Sequence, residues 1–218
     1  DADPATTVPG LEFSGLMNNG QACVAQTRIL VPRSNYDTWV EALAEMGRRQ
    51  VTGDPTEMTT TLGPLVAERQ RDRVEGYIDI GKGEGARIVA GGGRPEGLDT
   101  GWFVEATVFA DVDNSMRIAQ EEIFGPVLCV IPYADEAEAI AIANDSDYGL
   151  AGSVWTADTD HGLDVARQVR TGTFGINQYL MDFSSPFGGF KASGLGREFG
   201  PEGLSAYLEP KSIALPAT

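Results

Sequence analysis

Histidine and cysteine are almost missing: the 218 residues hold one of the former, His161, and two of the latter, Cys23 and Cys129. One imidazole and two thiols furnish neither a structural zinc site nor a disulfide framework, so no metal is expected. Free thiols point to a reducing cytoplasm. Basic residues are scarce as well, 16 against 32 acidic ones for a net charge of −16. Without even a local Lys/Arg cluster, a nucleic-acid or anionic-membrane partner is excluded, because phosphates demand a basic face. No apolar run approaches the ~18–20 residues of a membrane span, and nothing at the start resembles a signal peptide. Glycine (27) and proline (12) stay below low-complexity levels. What remains is ordinary globular composition, 42% hydrophobic and 22% charged. The first residue is Asp1 rather than Met, and the expectation is a chain cut from something longer.

Hydrophobic spacing predicts a helix from Pro4 to Met17, stopped at Asn18-Asn19-Gly20, residues that tolerate the left-handed conformation. A short strand over Thr27–Val31 follows. Next comes a helix, capped by Ser34 or Asn35, with Trp39, Val40, Leu43 and Met46 on one face. A polar loop (52–61) precedes a charged helix near Val66–Ile80, which glycines 81, 83 and 85 should end. Arg87–Ala90 and Phe103–Phe109 read as extended. In the second half, strands at Val127–Pro132, Leu150–Trp155 and Thr173–Asn177 alternate with helices at Asp135–Asn144 and Asp160–Val169. In those helices Ile140, Ala143, Leu163, Ala166 and Val169 face inward. Such alternation implies a mostly parallel sheet with helices on both faces. Asp182–Gly203 is a long glycine-rich loop of the kind that carries function. Ser205–Leu215 looks like an extended edge strand around Pro210.

Three near-matches fail on physical grounds. Gly76-Tyr-Ile-Asp-Ile-Gly81-Lys82 has P-loop spacing, yet Gly83 stands where a hydroxyl must reach magnesium, and helix rather than strand precedes it. Gly194-Leu-Gly196-Arg-Glu-Phe-Gly200 has one residue too many for a dinucleotide fingerprint. Gln21-Ala22-Cys23 matches a caspase start, but too few residues precede it to hold that family's histidine.

Cys23 is the best chemical candidate. It follows a helix terminator on a turn, where free backbone N–H groups can favour a thiolate and hold a developing oxyanion. From local sequence it is equally a small hydrophobe at a helix–strand junction. Cys129, inside Val127-Leu-Cys-Val-Ile, reads as a core thiol.

Three segments carry a resemblance. Asn19-Gly-Gln-Ala-Cys23 with Thr27-Arg28 resembles the nucleophile segment of the aldehyde dehydrogenase superfamily. Glu121-Glu122-Ile-Phe124-Gly-Pro126 resembles its cofactor-contact motif. Ser185-Pro-Phe187-Gly-Gly-Phe190-Lys191-Ala-Ser-Gly194-Leu-Gly196-Arg197-Glu198 resembles its C-terminal signature. They occur in the family's order, and similarity extends across essentially the whole chain.

The resemblance implies a three-layer, doubly wound α/β catalytic domain over residues 1–204 and a C-terminal oligomerisation strand over 205–218. It implies oxidation of a small-molecule aldehyde to a carboxylic acid with NAD or NADP, through a thiohemiacetal and a thioester on Cys23. The Cys23 N–H would be one oxyanion donor, and Glu198 would assist proton transfer behind the thiol. Glu122 would bind the nicotinamide ribose and Phe124 would pack beside the ring. Ala22, Val24 and Phe187 would shape the aldehyde pocket. By local sequence alone, Glu122 reads as a solvated carboxylate and Phe187 equally as core packing. Arg197 looks structural, pairing with Glu209. The family's Glu-Leu-Gly-Gly-Lys base segment does not occur here, nor does its Rossmann half. The isolated chain is therefore expected to lack dehydrogenase turnover and to associate through Ser205–Leu215. Two alternatives stand beside this: a truncated homologue acting only as a binding or assembly partner, and a thiol hydrolase pairing Cys23 with His161.

Overall fold

The computed structural model describes residues 1–217. Its centre is a four-stranded mixed sheet in the order β1-β4-β3-β2, built from β1 (Arg28–Pro32), β2 (Arg87–Ala90), β3 (Thr107–Ala110) and β4 (Val127–Tyr133). β1 and β3 flank β4 in parallel, and β2 closes the edge antiparallel to β3. Every residue of β3 and the first five of β4 are buried, because both faces of the sheet are covered. Side chains alternate across it. Ile29, Val31, Val108, Ala110, Leu128 and Val130 enter a core with α1 (Pro4–Leu16) and α2 (Tyr36–Arg48). Phe109, Val127, Cys129 and Ile131 enter a second core with α3 (Glu68–Gly83) and α4 (Arg117–Gln120). The result is the three-layer α/β arrangement expected.

Capping accounts for several helix starts. Asp3 Oδ1 accepts from the Ala5 N–H at α1. Asp135 caps α5 (Glu136–Asn144) through the Glu138 N–H, and Asp158 caps α6 (Thr159–Gln168).

Several expectations need correction. The second-half strands do not share one sheet: β4 lies at the centre of the main sheet, whereas β6 (Ala151–Val154) and β7 (Thr173–Ile176) form a separate parallel pair. β6 and β7 leave their residues only half-buried. The charged helix runs through Gly81 to Gly83, since Gly81 packs tightly on Phe109 and breaks nothing. It is Gly85, at φ +94°, that turns the chain. Of the expected 103–109 strand only Thr107–Phe109 pairs, and the strand runs on to Ala110. Leu163 faces outward, and Gly162 is the α6 residue pressed onto β7, close to Ile176.

Two short strands, β5 (Tyr148–Gly149) and β8 (Phe190–Lys191), pair antiparallel and were not foreseen. The strand expected over Ser205–Leu215 is not formed. Ser205 closes α7 (Gly200–Ser205), and residues 206–217 are exposed and belong to no ladder. Pro210 has no backbone N–H to give to a ladder. No helix among the described residues is long and apolar enough to cross a membrane.

Candidate active site

The residues after α1 build a rigid platform. Asn18 and Asn19 both adopt the left-handed conformation, at φ +50° and +58°, and Gly20 continues at +70°. Asn18 and Gln21 lock to each other: Asn18 Nδ2 donates to the Gln21 carbonyl at 2.9 Å, and the Gln21 N–H donates back to the Asn18 carbonyl at 3.0 Å. The Asn19 carboxamide reaches across the chain. It donates to the carbonyls of Gly63 (3.2 Å) and Pro64 (3.1 Å) and accepts from the Gly63 N–H. Gln21 Oε1 accepts from the Val66 N–H at 3.0 Å.

On this platform Ala22–Ala25 forms a hydrogen-bonded turn, the Ala25 N–H donating to the Ala22 carbonyl at 2.9 Å. Cys23 occupies its first central position with an exposed thiol. Neither the Cys23 N–H nor the Val24 N–H has an acceptor among the described residues. Two free donors beside an exposed sulfur are what an oxyanion on a sulfur-bound carbon needs. Ala22 is half-buried, and Val24 is buried beneath the turn rather than open at its surface.

Gly20 brings the second expected segment alongside. A Cβ there would stand 2.0 Å from the Gly125 carbonyl oxygen, so only glycine allows the thiol turn to press on Gly125-Pro126. Just upstream, Glu121 and Glu122 are both exposed but differ in their partners. Glu121 pairs with Arg117 at 2.9 Å and accepts from the Tyr77 hydroxyl at 2.7 Å, and these bonds hold its carboxyl down at about 2. The Glu122 carboxylate has no partner among the described residues.

Phe124 is half-buried at φ +62°. Its carbonyl accepts from Gln70 Nε2 at 2.7 Å, and the neighbouring Ile123 and Glu122 carbonyls accept from Arg73. Gln70 and Arg73, three residues apart on one face of α3, therefore shape this strap. Nothing local to either residue marks it in the sequence.

Phe187 and Glu198 are brought together by the backbone, each N–H donating to the other's carbonyl at 2.7 Å. The Glu198 carboxylate is exposed and without an internal partner among the described residues. Phe187 lies 6.2 Å from the Phe199 ring, which Phe183 meets edge-on at 5.1 Å. Arg197 does not pair with Glu209. It donates to the Gly189 and Gly196 carbonyls and lies over the Phe190 ring, bracing the loop from inside.

Tyr179 was also missed. Its buried hydroxyl meets Thr173 Oγ1 at 2.9 Å. Its pKa is raised, chiefly by burial, with the Thr173 hydrogen bond acting in the opposite direction. The His161 imidazole is held 2.5 Å from the Glu136 carboxylate on the surface, so it is not placed as a base for Cys23. Cys129 is buried as expected, its thiol pushed up to about 12 by loss of solvent. No metal-ligating cluster occurs among the described residues.

Fold and site together define a three-layer α/β domain presenting one exposed thiol on a glycine-anchored turn beside a carboxylate-bearing strap. Residues 1–213 match the aldehyde dehydrogenase family. The chain is 52% identical to geranial dehydrogenase of Castellaniella defragrans, covering 99% of this chain and 45% of that protein. It is 45% identical to betaine aldehyde dehydrogenase of Brucella melitensis, over 98% of this chain and 44% of the relative. Among solved structures, a Mycobacterium tuberculosis aldehyde dehydrogenase complexed with NAD+ superposes with a TM-score of 0.97 at 59% identity, over 99% of this chain and 45% of that one. Aldehyde dehydrogenase C of Pseudomonas syringae, crystallised as a cysteine mutant with NAD+ and octanal, superposes at 0.96 with 44% identity, over 100% of this chain and 46% of that one. The chain belongs to the aldehyde dehydrogenase family and spans about half the length of the relatives it matches.

Proposed function

We propose that this chain is the catalytic portion of an oxidoreductase that converts an aldehyde to a carboxylic acid with NAD or NADP, with Cys23 as nucleophile. The observation that carries the proposal is the exposed Cys23 thiol on a turn whose own amide and that of Val24 are free. As a thiolate, Cys23 bonds to the carbonyl carbon while the carbonyl π electrons move onto oxygen, and the free N–H groups receive that negative charge. A nicotinamide dinucleotide, when bound, accepts the hydride that leaves this carbon. The acyl group left on sulfur is a thioester. Water adds to it, the C–S bond breaks, and the acid and the Cys23 thiolate separate. Glu198, on the loop that carries Phe187, assists the proton movements. Ala22, Val24 and Phe187 shape the aldehyde pocket, Val24 from below.

The residues present fit part of a dinucleotide. The Glu122 carboxylate, unpartnered beside the engaged Glu121, suits a pair of ribose hydroxyls, and Phe124 stands on a braced strap beside it. That is too little to hold the whole cofactor, and no Glu-Leu-Gly-Gly-Lys segment occurs in the 218 residues. Losing a positioned base typically slows such a step about 10²–10⁴-fold. The chain tested alone is therefore proposed to lack steady turnover. We further infer a reducing compartment from the two free thiols, and self-association through 206–215, where Tyr207, Leu208, Ile213 and Leu215 are exposed.

The test is competition at sulfur. An apolar aldehyde should slow iodoacetamide alkylation of Cys23 in a saturable way by forming the reversible thiohemiacetal. Absence of protection at any aldehyde concentration overturns the assignment of Cys23. Steady reduction of NAD or NADP by the purified 218-residue chain overturns the proposed inactivity.

A further inference from the structure

Two halves of the site, the Cys23 turn and the Phe187–Glu198 loop, are separated by more than 150 residues, and they converge on one helix terminus. The last carbonyls of an α-helix have no partners within it and carry its negative end. At the end of α5 those carbonyls are taken by two cations. Arg28, five residues after Cys23, donates through Nη1 to the Ile142 carbonyl at 3.1 Å and through Nη2 to the Ala143 carbonyl at 3.0 Å. Lys191, four residues after Phe187, donates through Nζ to the Asn144 carbonyl at 2.6 Å and the Ser146 carbonyl at 2.8 Å. Neither cation has a carboxylate within 4.0 Å among the described residues.

The surroundings tighten the junction from both sides. Arg28 Nη1 also donates to Asn114 Oδ1 at 2.7 Å, and Asn114 Nδ2 donates to Asp145. On the other side Ala192 N–H donates to the Asp147 carbonyl, and Gly149 N–H donates to Ser193 Oγ. β8 pairs with β5 in the same few residues. Lys191 takes φ +55° there, a conformation disfavoured for a side chain of that size and held only by its surroundings. Burial, then the charges of Arg170 and Arg28, hold its ammonium below the usual lysine range.

We propose that Arg28 and Lys191 are positioning residues that fasten the Cys23 turn and the Phe187–Glu198 loop to the C-terminus of α5. The relative placement of nucleophile and pocket wall is thereby set by one rigid element. This rests on the function proposed above for Cys23 and Phe187, but its tests do not. A single arginine fork spanning two successive carbonyls is not replaced by an ammonium, which makes one point contact. Loosening it frees the helix end and, through it, a loop that Arg28 never touches.

The experiment uses the 218-residue chain with Arg28→Lys and, separately, Lys191→Met. Peptide-resolved hydrogen exchange is expected to rise about tenfold over 187–198 in Arg28→Lys, while Val127–Tyr133 keeps its protection. In Lys191→Met, the preference of Cys23 for an apolar-tailed iodoacetamide over iodoacetamide itself is expected to fall about threefold, because Phe187 shifts relative to the sulfur. Lys191→Arg restores most of that preference. If Arg28→Lys does not fold, Lys191→Met carries the test alone. Unchanged exchange and an unchanged reagent preference overturn the proposal, as does a uniform loss of protection including β4. Failure of the catalytic assignment looks different: aldehyde protection of Cys23 is absent while the coupling between position 28 and 187–198 persists.

Discussion

Gly20→Ala probes the contact that places the thiol turn against the Gly125 strap. Two penalties add. Gly20 holds φ +70°, where an L side chain costs roughly 1–2 kcal/mol. The new Cβ would also stand 2.0 Å from the Gly125 oxygen and 2.4 Å from its carbon, both backbone atoms that cannot swing aside. Overpacking of this kind costs about 1–3 kcal/mol. The sum is about 2–5 kcal/mol, a large share of the stability of an ordinary domain. For a chain of this size it lowers Tm by roughly 4–20 °C. Gly76→Ala is the control, since nothing lies within 4 Å of a Cβ on that turn of α3. It should gain roughly 0.5–1 kcal/mol from helix propensity and melt slightly higher. Thermal unfolding followed by circular dichroism measures both, and alkylation in the presence of an aldehyde measures the site. In Gly20→Ala the aldehyde protection of Cys23 should weaken about tenfold. A Gly20→Ala chain that melts within about a degree of the parent, with Cys23 protected as before, refutes the close approach and the placement built on it.

Iodoacetamide at pH 8 should label Cys23 long before Cys129, whose buried thiol is pushed up to about 12; equal rates by peptide mass mapping would contradict the burial. Glu121 sits at about 2 because Arg117 and Tyr77 bind its charged form. Its contribution is therefore present above the ordinary carboxylate range and lost as pH falls toward 2. The Tm gap between the parent and Glu121→Gln should be open at neutral pH and close between roughly pH 5 and 2; a pH-independent gap counts against the ion pair. Asn177 holds φ +56° while its side chain exchanges two hydrogen bonds with Thr156. Asn177→Ala should lose about 2–4 kcal/mol and Asn177→Gly about 1 kcal/mol less, because glycine relieves the backbone; in chemical denaturation, equal losses would locate the effect in the side chain alone.

The central layers were legible because their signals are local. The alternation in Val127-Leu-Cys-Val-Ile places Val127, Cys129 and Ile131 on one core and Leu128 and Val130 on the other. The Trp39-Val40-Leu43-Met46 stripe lies where its spacing predicts. What failed was pairing. Strand-like stretches at 151–154 and 173–176 were found, but nothing in their residues says that they join each other rather than β4. Register between distant segments depends on how much surface each can bury, and β6 and β7 are only half covered. The terminal stretch reads as extended around Pro210, which suits an edge position. A strand also needs a partner, and residues 206–217 pair with none of the described strands.

The site shows the same division more sharply. Asn-Asn-Gly before Cys23 announces a left-handed turn from sequence, and the turn is there. The groups that fix its position are supplied from elsewhere: Gly63 and Pro64 to Asn19, Gly125 to Gly20, and the end of α5 to Arg28. Gln70 and Arg73 are the plainest case. In sequence they are two polar residues of a charged helix, indistinguishable from a solvated face. Their amide and guanidinium instead satisfy carbonyls of the 122–124 strap, whose left-handed Phe124 leaves those oxygens pointing away from any ladder. A backbone bent out of regular structure exposes acceptors that some distant donor must meet. The donors that make a functional loop rigid are therefore invisible until the chain is folded, even when the loop itself is the most recognisable part of the sequence.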